Sequence, residues 1–302
     1  MSGFAEDRHS GSTDVAHGFL ETLERWCGTD RSASAPALRV ALLAHLRAAQ
    51  SAQPAMGLVH QLSARALEVA DASMRREDRA TELREHLARS CAAEREDLGR
   101  LTAGTADWAV RVLADSGAWI ATLSSSAAVA AAFRLAQARG MKPRALVAES
   151  RPRNEGRDVA VALTREGIPT WLVVDAALPL LLSQAGALWI GADAVTDRGV
   201  INKIGSFAAA LAAREHSVPV YALASRRKFL PAATQSLRID EMPPEEVWAE
   251  APEPVKPRNL YFELVPLALF TGIVVEDGVL GPSEAAALAR ERELPGELAA
   301  AL

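Results

Sequence analysis

The sequence is poor in cysteine, lysine and asparagine, lacks a basic excess, and has no long apolar run. Its two cysteines, Cys27 and Cys91, lie in helical patterns without metal-ligand spacing around them. That excludes a cysteine-built metal centre, and no metal or other cofactor is expected. A formal charge of −5 and a pI of about 5.8 leave nothing to neutralise a phosphate backbone. Nucleic acid is therefore not an expected partner, although local basic pockets for small anions stay open. Among the longest apolar stretches, Thr170–Leu182 is shorter than the roughly 20 residues of a membrane-spanning helix and contains Asp175 and Pro179. No membrane span is expected, and the polar start Met-Ser-Gly-Phe-Ala-Glu-Asp does not suit a secretory signal, so the expected compartment is cytoplasmic. Lysine occurs only at Lys142, Lys203, Lys228 and Lys256, and asparagine only at Asn154, Asn202 and Asn259, whereas arginine is abundant. In such a composition, Asn202 beside Lys203 reads as a chemical requirement, or else as coincidence.

What is present suits a globular chain: 302 residues, 49% hydrophobic, with a mean hydropathy of +0.04 and room for two domains. Met1–Ser12 reads as a polar, frayed tail. Helical spacing then marks Val15–Trp26, through Phe19, Leu20, Leu23 and Trp26. Ser34–Gln50 follows the capping-type break Asp30-Arg31-Ser32, Met56–Met74 follows Pro54, and a long helix or helix pair runs from about Glu77 to Ser116. No strand candidate precedes Trp119. Beyond it the short apolar runs Trp119–Leu123, Ala145–Ala148, Thr170–Val174, Ala187–Ile190 and Val218–Ala224 alternate with helical segments. Those segments are Ser126–Gly140, Gly156–Gly167, Ala177–Gln184 and Gly205–Glu215. Gly140 and Gly167 stand where helices stop, and Pro169 and Pro219 open the next strands. Continuous apolar strands alternating with helices imply an α/β fold, a doubly wound, Rossmann-like parallel sheet covered on both faces. Ile273–Gly278 reads as a last strand and turn, and the acidic Glu241–Pro257 as a surface loop. The expected domains are a helical 1–117 and an α/β 118–302.

In such a fold the ligand lies at the carboxyl ends of the strands. Four segments follow strands there: Thr122–Ser126, Glu149–Arg157, Gly191–Ala194 and Ser225–Phe229. Ser124, Ser125 and Ser126 offer hydroxyls and helix N-terminal amides to a phosphate, or else a simple cap. Arg151, Arg153 and Arg157 suit bidentate anion binding, or a solvated loop. Asp193 ends an apolar strand, where the ordinary alternative is a cap or turn carboxylate. Asn202-Lys203 is read as an exposed loop leading into the helix headed by Gly205. A carboxylate, an amide and an ammonium together can orient a polyol phosphate and move a proton.

Gly191-Ala192-Asp193 with Asn202-Lys203-Ile204-Gly205, preceded by Glu149-Ser150-Arg151-Pro152 and Gly156-Arg157, resembles the signature of one superfamily. It comprises ribose-1,5-bisphosphate isomerase, methylthioribose-1-phosphate isomerase and the alpha, beta and delta subunits of initiation factor 2B. Lys228-Phe229 and Asn259–Pro266 continue the resemblance, which extends weakly to Asp30–Ala37 and Pro54–Leu67. It implies that Asp193 acts as acid/base between sugar carbons C1 and C2, and that Asn202 and Lys203 contact substrate. Ser125, Ser126, Arg151, Arg157 and Lys228 are the further ligand-binding residues expected.

The resemblance also marks departures. Ser124 stands at the position of the isomerases' catalytic cysteine and Leu123 at that of a histidine, Gln53 replaces a phosphate-binding arginine, and Ser32-Ala33-Ser34 replaces Ser-Gly-Ala. A serine hydroxyl is far less acidic than a thiol and needs a dedicated base. The regulatory subunits also lack the cysteine. The leading expectation is thus a phosphorylated sugar or nucleoside monophosphate bound without the usual Cys/Asp isomerase chemistry. The alternatives are an aldose–ketose isomerase using Asp193, and a regulatory or scaffold subunit acting through protein contacts. Leu260, Phe262, Leu264, Val265 and Leu267 crowd apolar side chains into the region that pairs subunits in the family, so a homodimer or higher homo-oligomer is expected.

Overall fold

The computed structural model describes residues 4–113 and 117–299. Four helices make the first layer: α1 (Ser12–Thr29), α2 (Ala35–Ala52), α3 (Gly57–Arg75) and α4 (Ala80–Arg111). In α1, Val15, Phe19, Leu20, Leu23 and Cys27 recur at helical spacing and are buried, whereas Glu21 and Arg25 face out. They meet Leu38, Leu42 and Leu46 of α2, Leu58, Leu62 and Leu67 of α3, and Leu83 and Leu87 of α4 in one apolar cluster. Each such leucine contributes about 1.5–3 kcal/mol by leaving water. The long segment expected as a helix or a helix pair is one helix, and Ala114–Ser116 at its end lie outside the described residues.

The frayed tail expected at the start is instead packed from Phe4 onward, with Met1–Gly3 outside the described residues. Phe4 is buried edge-on against Phe19, with ring centroids 5.6 Å apart. Gln53 Nε2 donates to the carbonyls of Phe4 and Asp7, each at 2.8 Å, and His9 Nε2 lies 2.8 Å from Asp158 Oδ2. An apolar residue at position 4 and a buried amide at position 53 thus hold a strap across the molecule.

The second layer alternates as its apolar runs require: β1 (Trp119–Thr122), α5 (Ala127–Ala138), β2 (Arg144–Ala148), α6 (Glu155–Arg165), β3 (Thr170–Val173), α7 (Leu178–Leu181) and β4 (Ala185–Ile190). After β5 (Ala194–Val195) and β6 (Gly199–Lys203) come α8 (Ser206–Glu215), β7 (Val220–Leu223), α9 (Glu245–Trp248), β8 (Phe262–Pro266), β9 (Gly272–Val275), β10 (Gly278–Leu280), α10 (Pro282–Glu291) and α11 (Gly296–Ala299). The main sheet runs β10-β9-β7-β4-β1-β2-β3, parallel except for the β9–β10 hairpin. The helix expected at Ala177–Gln184 is a single turn flanked by 3-10 turns, with Pro179 in its first turn.

Two expectations need correction. β3 is an edge strand, and Trp171 and Leu172 on it are 47% and 45% exposed, so the sheet is not covered on both faces there. Asn202 and Lys203 lie in strand β6, the centre of a small antiparallel sheet β5-β6-β8, rather than in an exposed loop. That sheet pairs Asn202 with Glu263 and Lys203 with Phe262, so its partner is distant in sequence.

Helix α4 serves both layers. Its Leu83, Leu87 and Leu98 belong to the helical core, and its Ala106, Ala109 and Val110 pack with Phe133 and Trp189 against the main sheet. Helix α11 returns to the first layer and buries Leu298 there.

Candidate functional site

Strand β4 runs into Gly191-Ala192-Asp193, β1 into Ser124–Ser126 and β7 into Lys228, while β6 carries Asn202 and Lys203. These ends meet the start of α1 and the Gln53–Met56 segment around a cavity of about 230 Å³. Ser124, Ser125, Ser126, Asp193, Asn202, Lys203 and Lys228 all line it. The helical layer closes it through α3: the Gly57 amide donates to the Asp193 carbonyl at 2.8 Å. A Cβ on Gly57 would stand 2.9 Å from the Lys228 carbonyl oxygen, so only glycine permits this approach.

Asp193 is 8% exposed, and its side chain accepts no hydrogen bond from any described residue. Burial pushes its carboxyl up to about 6, with Glu155 adding to the rise, while Lys228 and Lys203 oppose it. Lys228 is equally enclosed. Its ammonium donates to Ser12 Oγ at 2.7 Å and to the Ala192 carbonyl at 2.6 Å. Burial lowers it to about 8, against the pull of Asp193 and Asp14. A carboxylate that favours its neutral form and an ammonium whose charge is penalised are both suited to a ligand that completes their solvation.

Lys203 reaches Glu155 Oε1 at 2.8 Å, with side chains only 4% and 6% exposed, and its ammonium sits 4.8 Å from the Tyr261 ring centroid. Ser124 Oγ donates to the same Glu155 oxygen at 2.9 Å. Glu155 Oε2 is buried without a hydrogen-bond partner among the described residues. Asn202 Nδ2 donates to Ser206 Oγ at 2.8 Å, which in turn donates to the Lys203 carbonyl at 2.6 Å, so the strand end and the start of α8 lock together. Tyr261 donates to Glu246, and burial followed by that carboxylate pushes its phenol up. The loop under Ser124 is fixed by Asp175, which accepts the Ser150 and Arg151 amides at 2.7 Å each.

Arg151 and Arg157 do not line this cavity. Arg151 donates to the Val247 carbonyl at 3.4 Å, and Arg157 pairs with Glu149 at 2.8 Å. Gln53 does line it, but its amide is spent on the strap; Ser32–Ser34 stay at the cap of α2. Glu155, Ser12, Arg8 and Arg238 line it without having been singled out from the sequence. Gly11-Ser12 before the apolar period of α1 is a helix-start signal that leads to one of them; Glu155 had none beyond its place after β2. Among the described residues no group of three or more His, Cys, Asp or Glu side chains is arranged to hold a metal ion.

The chain is 33% identical over 174 residues to ribose 1,5-bisphosphate isomerase of Methanocaldococcus jannaschii, a match covering 56% of each. It is 38% identical over 154 residues to methylthioribose-1-phosphate isomerase of Oleidesulfovibrio alaskensis, covering 47% of this chain and 43% of the relative. The chain thus spans about half the length of the curated relatives it matches. Its fold is that of the translation initiation factor eIF-2B of Pyrococcus horikoshii, with a TM-score of 0.77 and 24% identity over 92% of this chain and 94% of that one. The 5-methylthioribose 1-phosphate isomerase of the same organism gives a TM-score of 0.74 at 20% identity, over 95% and 85% of the two chains. The family model described as the Initiation factor 2 subunit family matches residues 8–282, nearly the whole chain, which therefore belongs to that family.

Proposed function

We propose that the cavity binds a phosphorylated sugar or a nucleoside monophosphate, in the cytoplasm. The observation that carries this is the meeting of two buried lysines, Lys203 and Lys228, with the unpartnered Asp193 carboxylate in one enclosed space. Ammonium groups in a water-poor site favour a phosphate, and a free carboxylate favours the hydroxyls of a sugar. Ser126, which caps α5, and Ala127 line the same space, so the start of that helix adjoins it. With Ser124 where the isomerases have a cysteine, thiol-dependent proton transfer is absent from this reading. Calorimetry against ribose 1,5-bisphosphate, methylthioribose 1-phosphate and AMP tests it; binding of at least one is expected, and heat from none refutes it.

A second reading, an aldose–ketose isomerase using Asp193, is favoured by the carboxyl near 6, which supplies both protonation states around neutrality. Ketose formed from a sugar 1-phosphate, and lost in Asp193→Asn, supports it; no ketose from either sugar phosphate refutes it.

The assembly follows from the rim. Leu260 and Leu264 are 39% and 40% exposed beside Phe207 and Leu211 on α8, at 37% and 44%. Val265 and Leu267 from the same segment are buried within the subunit. An outward apolar patch of this kind suits a two-fold contact with a second copy. Light scattering at micromolar concentration is expected to give the mass of a dimer or larger, and Leu264→Glu a monomer; a monomeric parent chain refutes the contact.

A further inference from the structure

Glu155 lines the cavity with one carboxylate oxygen anchored and the other buried and free among the described residues. Oε1 is held from two sides, by Ser124 Oγ at 2.9 Å and by Lys203 Nζ at 2.8 Å. Oε2 is buried and has no partner among the described residues. A buried carboxylate oxygen without a donor is unfavourable and calls for an explanation. The nearby donors are committed elsewhere: Lys228 to Ser12 and Ala192, and the Asn202 amide to Ser206. A ligand hydroxyl in the cavity would complete the hydrogen bonding of the Glu155 carboxylate. Asp193 lines the same space, and among the described residues its side chain has no hydrogen-bond donor.

Ser124 does not act in the cysteine's stead. Its hydroxyl gives its hydrogen to Glu155, and a serine hydroxyl is far less acidic than the thiol whose position it occupies. What the serine does is fix the carboxylate. Its own backbone is pinned at φ 61°, with its amide donating to Ser150 Oγ at 2.7 Å. The two carboxyl groups differ in surroundings, since Lys203 balances the charge of Glu155 directly whereas Asp193 has no direct ion pair among the described residues. A pair of carboxyls placed in unlike environments is the usual arrangement for separate acid and base roles.

We propose that Glu155 is the second proton-transfer residue of this cavity, acting as base opposite Asp193 as acid on a furanose 1-phosphate, with Ser124 as its positioning residue. This rests on the phosphosugar-binding reading and deepens it. Neutral Asp193 gives its proton to the ring oxygen as the bond from that oxygen to C1 breaks, the bond pair staying on oxygen. Glu155 takes the proton from C2, and the C–H pair becomes the C1–C2 double bond of an enol that retains its phosphate. The enol hydroxyl then returns a proton to Asp193 while Glu155 delivers its proton to C1. The product is the open-chain ketose 1-phosphate; both carboxyls regain their starting states, and no oxidant or reductant is needed.

The test uses the full chain with ribose 1,5-bisphosphate and methylthioribose 1-phosphate in deuterated water, following ketose formation and deuterium at C1, with affinity measured by calorimetry. Glu155→Gln is expected to slow turnover at least 100-fold while affinity changes less than about 5-fold, and Ser124→Ala to keep at least a tenth of the parent rate. Because Glu155→Gln strands the Lys203 charge, Glu155→Asp serves as the second variant. It keeps the charge, shortens the arm, and is expected to lose turnover at least 30-fold with affinity retained. Turnover within 3-fold of the parent in either Glu155 variant overturns the proposal, as does a loss in Ser124→Ala equal to that in Glu155→Gln. A parent chain that binds these sugar phosphates but forms no ketose overturns this inference alone. One that binds neither sugar phosphate and no AMP overturns the binding reading beneath it.

Discussion

Lys203 and Glu155 form a buried ion pair, and breaking such a pair leaves one charge stranded. Lys203→Met is accordingly expected to lower unfolding stability by about 3–5 kcal/mol, read from denaturant midpoints, with Lys203→Met/Glu155→Gln recovering part of it. The sequence placed Lys203 in an exposed loop, whereas it is a strand residue 3% exposed, so its replacement is expected to cost stability. Asp193 gives the opposite sign. Its carboxyl moves from 3.8 unfolded to about 6 folded, so its contribution is most favourable below about 4 and is lost as pH rises through 6. Asp193→Asn should therefore stabilise the fold at pH 8 by up to about 3 kcal/mol, and the gain should vanish toward pH 4. A gain independent of pH would contradict the cause. Asp193 and Lys228 drew attention because an apolar strand followed by polar residues marks a carboxyl end, and Asn202 and Lys203 because asparagine and lysine are rare in this chain. Glu155 did not, since its role arises from a serine and a lysine brought to it by other strands.

Among the elements, the parallel strands and their helices could be read closely because each carries its own period: β2 was expected at Ala145–Ala148 and spans Arg144–Ala148. Strand β6 escaped because an antiparallel partner distant in sequence, β8, decides its conformation, and local spacing holds no trace of it. The strap of residues 4–11 escaped for a related reason: apart from Phe4, it is held by hydrogen bonds to Gln53 and by a contact with Asp158, features without periodicity. Gln53→Ala removes two donor contacts, each worth about 1 kcal/mol, and should destabilise the chain by roughly 1–3 kcal/mol. Faster hydrogen exchange at residues 4–13 is the direct check. Unchanged exchange there would mean that Phe4 alone holds the strap.

For the molecule as a whole, the shared helix α4 and the bridge from Arg227 to Glu94 and Asp97 tie the helical layer to the sheet layer. Thermal unfolding should consequently show one transition by both near- and far-ultraviolet dichroism, and two separated transitions would show that the layers melt independently. Two layers were foreseen from the change of period at Trp119, but not that they share a helix, because an amphipathic pattern does not name the surface it will meet. The contact of Gly57 with Asp193 has a consequence for proton balance. The dryness that lifts the Asp193 carboxyl depends on α3 lying over it, so parting the layers would return that group toward its ordinary acidity. Docking of the helical layer and proton uptake are then linked processes: between about pH 4 and 6 closing the site draws a proton from solvent, and acid favours the closed arrangement. The carboxyl at the centre of the cavity thereby serves as a gauge of how tightly the two halves of the molecule are shut.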